Sequence, residues 1–137
     1  MNSTLASDLL RTQNDLVIIS RMCHWNVKGP DFFAYHLLFE RVYNTVADRV
    51  DTTVEVLRGL GYMPTFKEFA GPGGALPGQN PAELVRLLLQ VTTEYFTSLD
   101  ALKKDEENNP VSTGLVNLLD ELMQDCTVLL YLLSSSQ

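Results

Sequence analysis

The sequence predicts an all-α protein, a four-helix bundle with one long crossover at its middle. Two observations carry this. Apolar residues recur three and four positions apart through four separate stretches, the period of a helix with one buried face. Between the second and third stretches runs a segment rich in glycine and proline, and nowhere does the chain alternate convincingly as a strand.

Each element has a local justification. The first helix is "LASDLLRTQNDLVIISRMCHW", from Leu5 to Trp25. The second, "FFAYHLLFERVYNTVADRVDTTVEVLRGLG", opens after Pro30 and Asp31 and closes at Gly59 or Gly61. The third takes Asn80 as its cap, Pro81 at its first position and Glu83 in its first turn. The fourth repeats that start with Asn109 and Pro110. Inside the crossover, Thr65 and Glu68 frame a capping box, which predicts one short extra helix. The crossover glycines lack the spacing of a phosphate-binding loop. Four helices joined this way have ferritin-like connectivity.

At 137 residues the chain reads as a single domain, residues 1–137. It is 45% hydrophobic, and charges interrupt every apolar stretch short of the ~20 residues a membrane span needs. The opening "MNSTLASDLL" has no basic region and carries Asp8, which argues against a cleaved secretory signal. Cys23 and Cys126 read as reduced core residues, and the expectation is a cytoplasmic protein. The formal net charge of −7 argues against nucleic acid as a partner and mildly favours cations.

The chain has only two histidines, His24 and His36, six positions either side of Pro30. If the first two helices form an antiparallel hairpin, both imidazoles stand at one height. Advancing ~100° per residue from His36 puts Glu40, Asp51 and Glu55 within about 100° of it on the same helix face. Yet His36 and Asp51 are ~22 Å apart along the axis, too far for one chain to close around one metal. Two copies of the helix crossed antiparallel remove the difficulty. Opposing Glu40 to the partner's Asp51 brings His36 to the partner's Glu55, and Asn44 to Ala47 at the axis. Two imidazoles and three carboxylates suit iron, and would also accept zinc or manganese. The in-bundle Glu-x-x-His motif of di-iron proteins is absent. The plain alternative is a solvated acidic face and a hydrogen-bonded core histidine. On the same level of reading, Trp25 is a packing residue, and Asp48 and Arg49 are surface.

The stretch "HWNVKGPDFFAYHLLFERVYNTVADRVDTTVEVLRGLG" resembles the signature of the Dps family of mini-ferritins: a histidine, a second after eleven intervening residues, then acids four, fifteen and nineteen positions further on. The resemblance implies iron bound at a dimer interface, with His24, His36 and Glu40 from one chain and Asp51 and Glu55 from its two-fold mate. It implies a ferroxidase: Fe(II) oxidised by hydrogen peroxide or dioxygen, ferric product stored in a dodecameric cage, and protection against oxidative stress. Trp25 would then be a redox neighbour of the iron. Three features depart from the family. Glu40 stands where Asp is usual, Gln124 to Cys126 replace a His-Glu-Lys run, and Pro110 and Gly114 interrupt the acids that line the pores admitting iron, leaving Asp105, Glu106 and Glu107 nearby. With only four lysines and an uncharged C-terminal "YLLSSSQ", the chain is expected not to bind duplex DNA appreciably. Two other readings compete: a structural metal site without turnover, and a helical adaptor, for which no exposed apolar groove is identifiable in the sequence.

Overall fold

The computed structural model describes residues 1–137. It contains four helices, α1 (Ser3–Asn26), α2 (Phe32–Gly59), α3 (Pro81–Asn108) and α4 (Thr113–Ser134), and one turn of 3-10 helix at Phe66–Phe69 within the crossover. The α1 helix packs on α2 and α3, and α4 packs on the same two. The helices therefore stand at four corners in the order α1, α2, α4, α3. No helix is long and apolar enough to cross a membrane.

Local chemistry explains most boundaries. The side chain of Asn80 accepts the Ala82 N–H at 2.8 Å, with Pro81 following it into α3. At the end of α2 it is Gly61, with φ of 98°, that reverses the chain. There Tyr62 N–H donates to Leu57 C=O at 2.9 Å and Gly61 N–H to Arg58 C=O at 3.0 Å, the two bonds of a Schellman closure. Asp31 occupies the cap position of α2 without a side-chain capping bond. The crossover capping box is present: the Glu68 carboxylate accepts the Thr65 N–H at 3.1 Å, and the hydroxyls of Thr65 and Tyr62 donate to it as well. Burial pushes this carboxyl up, but those hydrogen bonds outweigh burial and hold it down at about 2.

The core is a continuous apolar cluster spanning all four helices. Phe39, Val42, Val46 and Leu57 of α2 are fully buried, and Tyr43 and Val50 only half so. The buried strip is wider than one stripe because α2 faces two neighbours, α1 and α4. Cys23 and Cys126 are unpaired within this core, and burial pushes both thiols up to about 12.

Three expectations need correcting. The last helix starts at Thr113 rather than at Asn109-Pro110, because α3 runs on to Asn108 and the residue before a proline avoids helical geometry. Ser112 is the cap, its hydroxyl accepting the Leu115 N–H at 3.3 Å. Glu106 is not available to a pore: it is 2% exposed, and its carboxylate accepts the backbone N–H groups of Val111 and Ser112. Arg49 is more than surface, since it ties α2 to α4 by donating to Asp125 at 2.9 Å and to Glu121 at 3.2 Å.

Candidate metal centre

The α1–α2 hairpin brings the two histidines together. Their rings stack with centroids 3.7 Å apart and 17° between planes. Each ring is fixed by the backbone of the other: His24 Nδ1 donates to His36 C=O, and His36 Nδ1 donates to His24 C=O, both at 2.8 Å. A carbonyl only accepts, so both Nδ1 atoms carry a hydrogen, and in the neutral imidazole each Nε2 keeps its lone pair. Neither Nε2 has a hydrogen-bond partner in the chain. This is the arrangement found around metal-ligating histidines, where a bond to the far nitrogen sets tautomer and orientation.

Aromatic packing holds the pair from both sides. Phe32 stacks on His36 at 4.9 Å, and Tyr43 tilts against His24 at 5.3 Å with the Arg21 guanidinium over its far side. Phe32 precedes His36 by one helical turn and Tyr43 follows it by two. That periodicity is the signal that marks Phe32 as a support, while Tyr43 belongs to the apolar stripe of α2.

The acids are placed differently. Glu40 is half-buried one turn after His36, while Asp51 and Glu55 are exposed towards the other end of α2. Within one chain no three His, Cys, Asp or Glu side chains converge on a point. The single chain thus brings together the two imidazoles, with Glu40 adjacent in sequence register, and does not bring Asp51 or Glu55 to them. Trp25 is 65% exposed, so it does not pack into its own bundle.

A second polar cluster lies at the bundle interior, where a di-iron centre sits in ferritin-like bundles. Here Gln13 Nε2 donates to Thr53 Oγ1 and to Tyr95 Oη, both at 3.0 Å. All three residues are at most 1% exposed, and burial raises the Tyr95 phenol. The trio carries no charge and offers a cation little.

Comparison with known proteins agrees with this architecture. The ferritin-like domain family matches over residues 6–129. The "DNA protection during starvation protein" of Brevibacillus brevis is 36% identical over 104 residues, covering 71% of this chain and 70% of that one. An uncharacterized protein of Haemophilus influenzae is 41% identical over 58 residues, but the match spans only 36% of that protein and 42% of this chain. In three dimensions the Dps protein of Vibrio cholerae O1, described as a member of the ferritin-like diiron-carboxylate superfamily, superposes with a TM-score of 0.85 at 17% identity. That superposition covers 97% of this chain and 86% of the other.

Proposed function

This chain belongs to the ferritin-like domain family and, within it, to the Dps proteins, and on that premise we propose that it is a ferroxidase that oxidises and stores iron. The observation that carries the reading is the reciprocal histidine clip, which leaves the Nε2 of both rings without a partner in the chain while Asp51 and Glu55 do not reach them in the same chain. His24, His36 and Glu40 of one chain form half a site, and Asp51 and Glu55 of a two-fold mate form the other half.

Iron is the substrate. Neutral imidazoles and carboxylates bind Fe(II) without needing a thiolate, a donor set suited to both iron oxidation states. Two Fe(II) deliver two electrons to one hydrogen peroxide, its O–O bond breaks, and two protons complete two waters. Dioxygen is the alternative oxidant. Hydrolysed Fe(III) collects inside a cage of twelve chains whose acidic balance, 17 Asp and Glu against 10 Lys and Arg, favours cations. The whole chain acts as one domain in the cytoplasm, and protection against oxidative stress comes from removing iron and peroxide together rather than from coating DNA. Trp25, next to a ligand and exposed, is placed to intercept a stray oxidising equivalent. Zinc or manganese could occupy the same donors without turnover.

The test is complementation between two inactive variants. His36→Ala and Glu55→Ala each disable both sites of a homodimer. Refolded together at random, half the dimers are mixed, and each mixed dimer carries one intact site of its two. The recovered rate of peroxide-driven Fe(II) oxidation is then roughly a quarter of wild type if the sites act independently. A mixture that assembles yet stays as inactive as its parents refutes the shared site. Binding without oxidation in the wild type points instead to a structural metal.

A further inference from the structure

The rings around the two histidines form a continuous column, and one of them can itself be oxidised. Its order is Phe33, Phe32, His36, His24 and Tyr43, with centroids 5.8, 4.9, 3.7 and 5.3 Å apart in turn. Phenylalanine gives up an electron only to the most powerful oxidants and has no hydroxyl proton to release with it. Tyr43 is therefore the electron source of the column. Trp25 follows His24 in the chain but makes no ring contact with either histidine, and it is 65% exposed.

Tyr43 also stands apart from the other four tyrosines. The Tyr35 hydroxyl donates to Ser136 C=O at 3.3 Å and the Tyr62 hydroxyl to Glu68, while Tyr95 is held by Gln13 in the bundle interior. Tyr131 is exposed on α4. None of these touches a histidine. Tyr43 is half-buried, and its hydroxyl makes no hydrogen bond within the chain, so no acceptor there holds its proton.

Arg21 bears on how that electron is lost. Its guanidinium lies over the Tyr43 ring, 5.1 Å from the centroid, where a cation is attracted to the electron density of the ring face. Removing an electron alone would put a second positive charge beneath it. Removing the electron together with the hydroxyl proton leaves a neutral ring. The guanidinium therefore couples the two losses and reserves Tyr43 for strong oxidants.

Hydrogen peroxide takes two electrons, and one Fe(II) gives one. A site holding a single Fe(II) would on its own split peroxide into hydroxide and a hydroxyl radical. Resting on the ferroxidase reading, we propose that Tyr43 supplies the missing electron through its contact with His24. One electron comes from Fe(II) and one, with its proton, from the Tyr43 hydroxyl. The O–O bond breaks, a second proton comes from solvent, and the products are two waters, one Fe(III) and a neutral phenoxyl radical on Tyr43. The next Fe(II) returns an electron, a solvent proton restores the phenol, and the sum is two Fe(II) per peroxide. Tyr43 acts through His24 as a relay, and Arg21 tunes it.

The experiment loads wild type, Tyr43→Phe, Trp25→Phe and Arg21→Gln anaerobically with one Fe(II) per site and adds peroxide. Samples frozen within a second are read by electron paramagnetic resonance, and a spin trap captures escaping hydroxyl radical. Tyr43→Phe keeps the ring contact and removes only the hydroxyl, so circular dichroism and melting should match wild type. Wild type should show a tyrosyl radical that persists in Trp25→Phe and vanishes in Tyr43→Phe, where trapped hydroxyl radical should rise several-fold. In Arg21→Gln the radical is a weaker oxidant of the next Fe(II), and its lifetime should lengthen several-fold. Iron oxidation in wild type without a tyrosyl radical, or a radical unchanged in Tyr43→Phe, overturns the relay and leaves the ferroxidase reading standing. An unchanged lifetime in Arg21→Gln overturns the tuning. A wild type that oxidises no Fe(II) at any loading removes both relay and ferroxidase.

Discussion

The bundle interior and the hairpin end both hold polar clusters, and they differ in what is left over. In the interior, Gln13 donates to Thr53 and Tyr95 and Thr53 donates on to the Arg49 carbonyl, and the trio carries no charge and is out of contact with solvent. At the hairpin end, each histidine spends one nitrogen on backbone and keeps the other. A polar group that is fully used inside the fold is scaffold. One with a directed lone pair to spare is a site. The comparison bears on how a ferritin-like bundle can lack the carboxylates usual at its centre: neutral groups hold the helices together there, and in the proposed function the chemistry moves to the hairpin end, where a second chain would complete it.

The largest expected effect tests that contrast at its functional end. His36→Ala should slow Fe(II) oxidation by about 100-fold or more, since even losing an outer support of a ligand costs 10–100-fold, with far less effect on the melting temperature. Gln13→Ala should do the reverse. It strands Thr53 and Tyr95 without their buried donor, at a cost of about 1–3 kcal/mol, which lowers the melting temperature by several degrees while the folded protein keeps its oxidation rate. A folded Gln13→Ala protein as slow as His36→Ala would erase the distinction between the clusters.

The smallest effect concerns the crossover turn and is read through pH. The Glu68 carboxyl has a folded value of about 2 against an ordinary 4.5, so its contribution is complete above about 4.5 and fades as pH falls towards 2. Amide exchange at residues 62–69 should therefore accelerate below pH ~4 in the wild type, ahead of bundle unfolding. Glu68→Gln should remove that pH dependence. If exchange there is flat between pH 5 and 3 in the wild type, the carboxylate is not what holds the turn.

Features governed by a few adjacent residues were legible in the sequence. Asn80-Pro81 starts a helix, Thr65 and Glu68 cap a turn, and equal spacing from Pro30 pairs two histidines across a hairpin. What was not legible depended on distant partners. Nothing local says that Arg49 finds Asp125 across the bundle, or that Gln13 meets Tyr95 eighty-two positions later. The start of α4 was misplaced because Asn109-Pro110 copies Asn80-Pro81 in letters but follows a helix instead of a loop. There the chain needs room to turn, and Glu106 reaches back to hold it. The spacing of the two histidines was visible as a pattern, whereas the reciprocal carbonyl bonds that fix the rings needed three dimensions.

Those bonds also decide where conformational entropy is lost. Because each imidazole is already immobilised by the other's backbone and flanked by Phe32 and Tyr43, ligation on the nitrogen side freezes no further rotor. In the proposed site the cost of ordering would fall on Asp51 and Glu55, which are exposed in the single chain. The nitrogen half of that site is therefore a preformed template and the acidic half an adaptable clamp. Differences in affinity among metals of unlike radius, and between the two oxidation states of one metal, would then fall on the carboxylates, while the imidazoles keep a constant geometry.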